Sequence, residues 1–140
     1  IMAEAERLGI ADRVMMPGVL RDPARYIRLF DIFALSSDSE QYPIALLEAM
    51  TSAIPVVSTD VGDVKNIVAR ENRPFIVPRT DEASLAQAIR ELTNDAGLRE
   101  KLGTANRALA CALYDEETMF ARYRQLYGSA MKRADFARQS

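Results

Sequence analysis

The sequence has no histidine, no tryptophan and one cysteine, Cys111. Without histidine, the chain by itself supplies no Ser–His or Cys–His nucleophile pair, no histidine–metal site and no histidine general base. A single cysteine excludes an internal disulfide and a cysteine-rich zinc site. Long apolar runs are also missing, because charges interrupt every stretch well before the roughly 20 residues of a membrane span. Nor is there an excess of positive charge. Lys plus Arg number 18 against 20 Asp plus Glu, the net charge is −2 and the pI is near 5.2, which argues against a nucleic-acid partner. What chemistry remains must use carboxylates, lysine, tyrosine, backbone groups or a partner.

What is present is a globular composition: 140 residues, 49% hydrophobic and 27% charged. That is one domain, large enough to bury about 68–70% of its unfolded surface. Charge is uneven: residues 1–98 carry 10 basic and 15 acidic groups, and residues 99–140 carry 8 basic and 5 acidic. The second stretch reads as a solvated basic helical tail. The opening Ile1–Arg7 is acidic and helical in character, not a signal peptide. Position 1 is not Met, from which a fragment of a longer chain is expected.

Along the chain, residues 1–8 read as a helix end stopped near Gly9. Arg13–Pro17 reads as a short strand closed by Pro17-Gly18. Asp22-Pro23 starts a helix to about Phe30, with Asp22 as N-cap, and Asp31–Leu35 follows as a fully buried strand. A polar loop, Ser36–Tyr42, leads to a helix opened by Pro43 and ending near Ser52. Ile54–Thr59 is a third strand, Asp63–Ala69 a short helix and Pro74–Val77 a fourth strand. Thr80 is the expected N-cap of a helix over Asp81–Thr93. Helices over about Ala96–Leu113 and Glu116–Arg133 complete the chain, with Asp135–Ser140 frayed. Strands alternating with helices predict an α/β fold: a Rossmann-like parallel sheet with helices on both faces. Such sheets usually have five or six strands, so four again suggest truncation. The methionines are expected mostly in the core. Cys111 reads as a buried small hydrophobe, and Tyr114, Tyr123 and Tyr127 as packing residues.

In an open parallel sheet, ligands bind beyond the carboxyl ends of the strands. The richest of these ends is Ser36–Tyr42, which delivers Glu40 and then enters a helix. The N–H groups from Tyr42 to Ala45, Pro43 excepted, and the helix dipole suit an anion such as a diphosphate. Glu40 and Glu48, eight residues apart, read either as surface charge or as acceptors for a sugar hydroxyl and a vicinal diol. There is no GxGxxG and no GxxxxGK[ST]. Asp31, Asp60 and Lys65 raise a weaker reading, a receiver-like phosphoacceptor domain.

The continuous stretch from Ser36 to Gly62 resembles the signature of retaining glycosyltransferases of family 4. It has a loop Glu40, a small turn ending in Pro43, an apolar helix with Glu48-Ala49-Met50, a Pro55-Val56-Val57 strand and a turn at Gly62. Leu8-Gly9, Asp12-Arg13-Val14, Gly18, Asp31–Ser36, Ile76-Val77-Pro78 and Asp81–Leu85 are similar to the family as well. The resemblance covers about residues 8–127. It implies that the chain is a carboxy-terminal, donor-binding GT-B domain over residues 1–140, with 116–140 as a crossing helix and tail.

On this resemblance Glu40, the catalytic-site carboxylate, contacts donor-sugar hydroxyls. Gln41, Tyr42, Pro43 and Ile44 form the turn whose amides face sugar and diphosphate. Glu48 holds the ribose, Leu47 packs near the nucleoside, and Val19 lies in a base-binding loop. The donor the resemblance implies is a nucleotide-diphosphate sugar such as a UDP- or GDP-sugar, with no metal and no cofactor expected. The sequence departs from the family pattern at Gln41 and Ala53, where glycine is usual, at Asp63, and at Arg73-Pro74. The Arg and Lys that neutralise the diphosphate, and the acceptor domain, are expected in a missing amino-terminal part. The isolated chain is therefore expected to show no turnover, and the last helix, deprived of its partner, to expose an apolar face or dimerise. The location implied is cytoplasmic, or peripheral at the membrane in the full-length parent. A non-catalytic module, either a degenerate nucleotide-binding domain or an interaction domain that kept the fold, is the alternative.

Overall fold

In the computed structural model, residues 1–114 and 116–131 are described. The elements are α1 (Met2–Arg7), α2 (Ala24–Ile27), β1 (Phe33–Leu35), α3 (Ile44–Thr51), β2 (Val56–Thr59), α4 (Val64–Ile67), β3 (Ile76–Val77), α5 (Glu82–Asn94), α6 (Ala96–Leu113) and α7 (Glu116–Ala130), with 3₁₀ turns at Ala11–Arg13 and Arg70–Phe75. The strands form one parallel sheet in the order β1-β2-β3, with Phe33 opposite Val56 and Ser58 opposite Ile76.

Side chains alternate across a strand, and the alternation divides the core in two. Phe33, Val56 and Ile76 join Leu46 and Met50 of α3, Val64 and Ile67 of α4, and Ala110 of α6 on one face. Val57 and Val77 join Ala88 and Leu92 of α5 and Leu102 of α6 on the other. The expected α/β architecture with helices on both faces is what the chain forms. β2, flanked on both sides, is buried at all four positions.

Several expectations need correction. Arg13–Pro17 is not a strand: Arg13 ends a 3₁₀ turn, and Met15 and Met16 are 85% and 57% exposed. An extended segment becomes a strand only with a ladder partner, and none lies beside it among the described residues. The described sheet thus has three strands, not four. β1 is an edge strand and only Phe33 of it is buried, so it is not the fully buried strand expected. Asp22 does not cap α2. Its φ of 59° is left-handed, and its carboxylate pairs with Arg25 Nε at 2.7 Å instead. α2 ends at Ile27, so Leu29 and Phe30 stand exposed beyond it. Pro43 is the extended N-cap of α3 rather than its first turn. α5 is capped by Asp81, not Thr80: Asp81 Oδ1 accepts from the Ser84 amide at 2.9 Å. The Ser84 hydroxyl, also bonded to it, holds the Asp81 carboxyl below its usual range. Of the methionines only Met50 is buried, and Cys111 is exposed because on α6 it turns away from its neighbour Ala110, which faces the core. α7 ends at Ala130 with Met131 in a turn, short of the expected helix; Lys132, Arg133 and the stretch expected to fray, Asp135–Ser140, lie outside the described residues.

A polar clasp joins the layers. β3 pairs only with Ser58 and Thr59, which leaves Val56 without a strand on that side. Asn72 fills the place: its Oδ1 accepts from Val56 N at 3.0 Å and its Nδ2 donates to Val56 O at 2.7 Å. Asn106 of α6 donates to Asn72 Oδ1 at 2.8 Å and to Ile54 O at 3.3 Å, and accepts from Ala69 N at 3.1 Å. Both amides are fully buried, and their bonding capacity is well used.

α6 also lies close over the turn from α3 to β2. A Cβ at Gly103 would collide with the Ala53 carbonyl, so only glycine fits there. Ala53 itself has φ 59°, a left-handed conformation costly for any residue with a Cβ. Ala53→Gly is expected to stabilise the fold by about 0.5–1 kcal/mol, the relief of strain outweighing the added chain entropy. A urea-unfolding midpoint that falls or stays put would contradict this.

Candidate functional site

The loop from Ser36 to Pro43 leaves the carboxyl end of β1 and enters α3. No side chain caps α3, and the amides of Ile44 and Ala45 donate to no acceptor among the described residues. These unpaired donors and the helix dipole make the start of α3 a place for negative charge. Glu40 is half-buried in the loop before it, and its Oε1 accepts from the Ser37 hydroxyl at 2.8 Å. Glu48 is half-buried in the second turn of α3, and its carboxylate has no partner among the described residues. Gln41 and Ile44 are exposed and Pro43 is buried.

Tyr42 meets Tyr114 edge-on with ring centroids 6.2 Å apart. Burial, and then the neighbouring Tyr114 and Asp63, push the Tyr42 hydroxyl above its ordinary value. Tyr42 and Leu47 line a groove of about 400 Å³ with Tyr114 and with Met119 and Tyr123 of α7. So Tyr114 packs as expected, whereas Tyr123 and Tyr127 are exposed and stack on each other. Val19 is 99% exposed and packs against none of the other candidates. A larger cavity, about 570 Å³, opens between β3 and α5 near Phe75 and Leu98, and none of the candidate residues lines it.

Sequence reasoning missed the residues that fasten the loop. Thr59, at the end of β2, donates to the Ser37 carbonyl at 2.6 Å, and Arg79 after β3 donates to the Asp38 carbonyl at 3.3 Å. Gly62, with φ 52°, lies against the same loop: a Cβ there would clash with the Glu40 carbonyl and sit 2.7 Å from that of Gln41. The Asp63 amide donates to the Gln41 carbonyl at 3.3 Å. The one local signal was the position of Ser37 three residues before Glu40.

Asp31 and Asp60 do not converge. Asp31 precedes β1 at the amino end of the sheet and approaches Arg99 at 4.0 Å. Asp60 follows β2 at the carboxyl end and pairs with Lys65 at 3.3 Å. A shared phosphoacceptor centre is not formed. No group of acidic or cysteine side chains among the described residues could hold a metal ion, and no helix among them is long and apolar enough to cross a membrane.

The family described as glycosyl transferases group 1 matches residues 1–109 of this chain. The chain belongs to that family. Among curated relatives, N-acetyl-alpha-D-glucosaminyl L-malate synthase of Bacillus anthracis is 24% identical over 132 residues, which are 94% of this chain and 35% of the relative. A D-inositol 3-phosphate glycosyltransferase of Streptomyces avermitilis is 30% identical over 103 residues, 72% of this chain and 22% of that protein. Among solved structures, sucrose-phosphate synthase from Thermosynechococcus elongatus superposes with a TM-score of 0.79 at 27% identity, covering 91% of this chain and 33% of that one. The glycosyltransferase chain thus spans about a third or less of the length of these relatives, and its fold is that of a GT-B carboxy-terminal domain.

Proposed function

We propose that this glycosyltransferase domain binds a nucleotide-activated sugar, a UDP- or GDP-sugar, as donor for glycosyl transfer with retention of configuration. The observation that carries the reading is the uncapped start of α3, with the amides of Ile44 and Ala45, unpaired among the described residues, preceded by Glu40 and followed by Glu48. The amides face the diphosphate, whose negative charge grows as it leaves. Glu40 accepts hydrogen bonds from the donor sugar and Glu48 from the ribose diol, because an ionised carboxylate offers acceptors only. Gln41, Tyr42 and Pro43 shape the turn, Leu47 packs against the nucleoside, and Val19 covers the base when the ligand is bound. No metal or cofactor enters this scheme.

The acceptor, and cations opposing the diphosphate, are assigned to the parts of the relatives that this chain does not span, so this chain alone is expected to bind without transferring. The apolar residues exposed on α7, Met119, Phe120, Tyr123, Leu126 and Tyr127, are assigned to contact with that acceptor domain. Dimerisation is the alternative for the isolated chain, read by sedimentation at rising concentration. The cytoplasm is the proposed location, with the parent at the membrane surface when its acceptor is a lipid-linked one.

One observation favours a second reading, a fold that has lost its ligand. Asp63 lies close enough to Tyr42 to raise its pKa, and adds negative charge where a diphosphate would sit. Calorimetry decides between them. Saturable binding of a nucleotide-sugar, competed by the free nucleoside diphosphate, supports the donor reading. No heat with any nucleotide or nucleotide-sugar overturns it in favour of the second.

A further inference from the structure

Glu40 sits on a loop, and Ser37, the neighbour three residues before it that bonds its side chain, sits on the same loop. The structure supplies a constraint on that loop from elsewhere. Thr59, 5% exposed at the end of β2, reaches across 22 residues to donate its hydroxyl to the Ser37 carbonyl at 2.6 Å. That bond holds the backbone from which Ser37 projects. The Ser37 hydroxyl in turn donates to Glu40 Oε1 at 2.8 Å. Among the described residues, only one carboxylate oxygen is engaged. Oε2 has no partner among the described residues, and accepts from a ligand without first giving up a protein bond.

We infer that Ser37 is a positioning residue for Glu40, and that Thr59 acts one step behind it by fixing Ser37. A carboxylate held in one rotamer before the ligand arrives does not lose that freedom on binding, so the gain falls on the group it touches. Where the donor reading above holds, that group is the sugar and not the nucleotide. The inference rests on that reading only for the identity of the ligand; the ordering of Glu40 is a property of the free protein.

The test has two arms. In the first, three-bond couplings report the χ1 rotamer of Glu40 in the ligand-free wild type, Ser37→Ala, Ser37→Thr and Thr59→Val. A single rotamer is expected in the wild type and in Ser37→Thr, which keeps the hydroxyl. Averaging is expected in Ser37→Ala, with partial averaging in Thr59→Val. In the second, calorimetry compares UDP- and GDP-sugars with UDP and GDP. Ser37→Ala is expected to weaken the nucleotide-sugar by about tenfold, to leave the free nucleotide within about twofold, and to be rescued by Ser37→Thr. Unchanged Glu40 couplings in Ser37→Ala overturn the inference, as does an equal loss for both ligands, which would mark general loosening of the loop. If the couplings respond as expected but the wild type binds no nucleotide-sugar, the positioning role stands and the donor reading falls.

Discussion

Glu48→Ala is expected to weaken binding of a nucleoside diphosphate and of its sugar conjugate alike, by roughly 30- to 100-fold. The size follows from the chemistry assigned to it. A vicinal diol donates two hydrogen bonds to one carboxylate, and such charge-assisted bonds together are worth about 2–3 kcal/mol net. The carboxylate starts without a protein partner among the described residues, so no internal bond is lost with it. Alanine is the better helix former in α3, which keeps the variant folded. Glu40→Ala serves as the contrast, because it is expected to weaken the sugar conjugate alone. Calorimetric titration of both variants with both ligands reads the difference. Equal behaviour of the two variants would contradict the division of labour along the loop and helix.

The second large effect concerns stability. Asn106→Ala is expected to cost about 3–4 kcal/mol and to lower Tm by roughly 10–15 °C. It strands the buried Ala69 amide, removes a donor from Asn72 Oδ1 and from the Ile54 carbonyl, and leaves a void beside Gly103 of α6. Because Asn72 stands in for a missing strand beside Val56, loosening it exposes the edge of β2. Arg107→Ala, at the exposed neighbouring position, is expected to change stability by less than about 0.5 kcal/mol. Thermal unfolding of the two variants checks both statements. A loss below about 1 kcal/mol for Asn106→Ala would show that the clasp holds little.

These two sites differ in how far they were legible. Glu40, Tyr42 and Glu48 lie within nine residues of each other, and the approach of a polar loop to an apolar helix is a local pattern that sequence carries. β2 was legible from the apolar run Ile54–Val57 that leads into it, although its last two residues, Ser58 and Thr59, are polar and buried as well. α6 was read at about Ala96–Leu113 and forms over those residues, because its apolar spacing is long; its cap, Asp95, was not singled out. The strand read at Arg13–Pro17 failed because pairing is not local: Val14, Met15 and Met16 have strand-like composition but no ladder partner among the described residues. Asp22 looked like a cap by residue type, yet its backbone is left-handed and its carboxylate turns to Arg25. Cys111 shows the limit of reading burial from neighbours on a helix, where one step is a turn of about 100°. Asn72, Asn106 and Thr59 were passed over, and Gly62 was read only as a turn, because each acts on a segment distant in sequence. Nothing in the residues around them records that partner.

On the donor reading, the start of α3 receives the diphosphate of a nucleotide-sugar. Titrating UDP and GDP, each free and sugar-linked, into the ¹⁵N-labelled chain while following backbone amide resonances tests it most directly. Saturable shifts led by the amides of Ile44 and Ala45, with Gln41, Tyr42 and Glu48 following, are expected, and are expected to be lost in Glu48→Ala. Shifts confined to the cavity between β3 and α5, or none at all up to millimolar ligand, would contradict it.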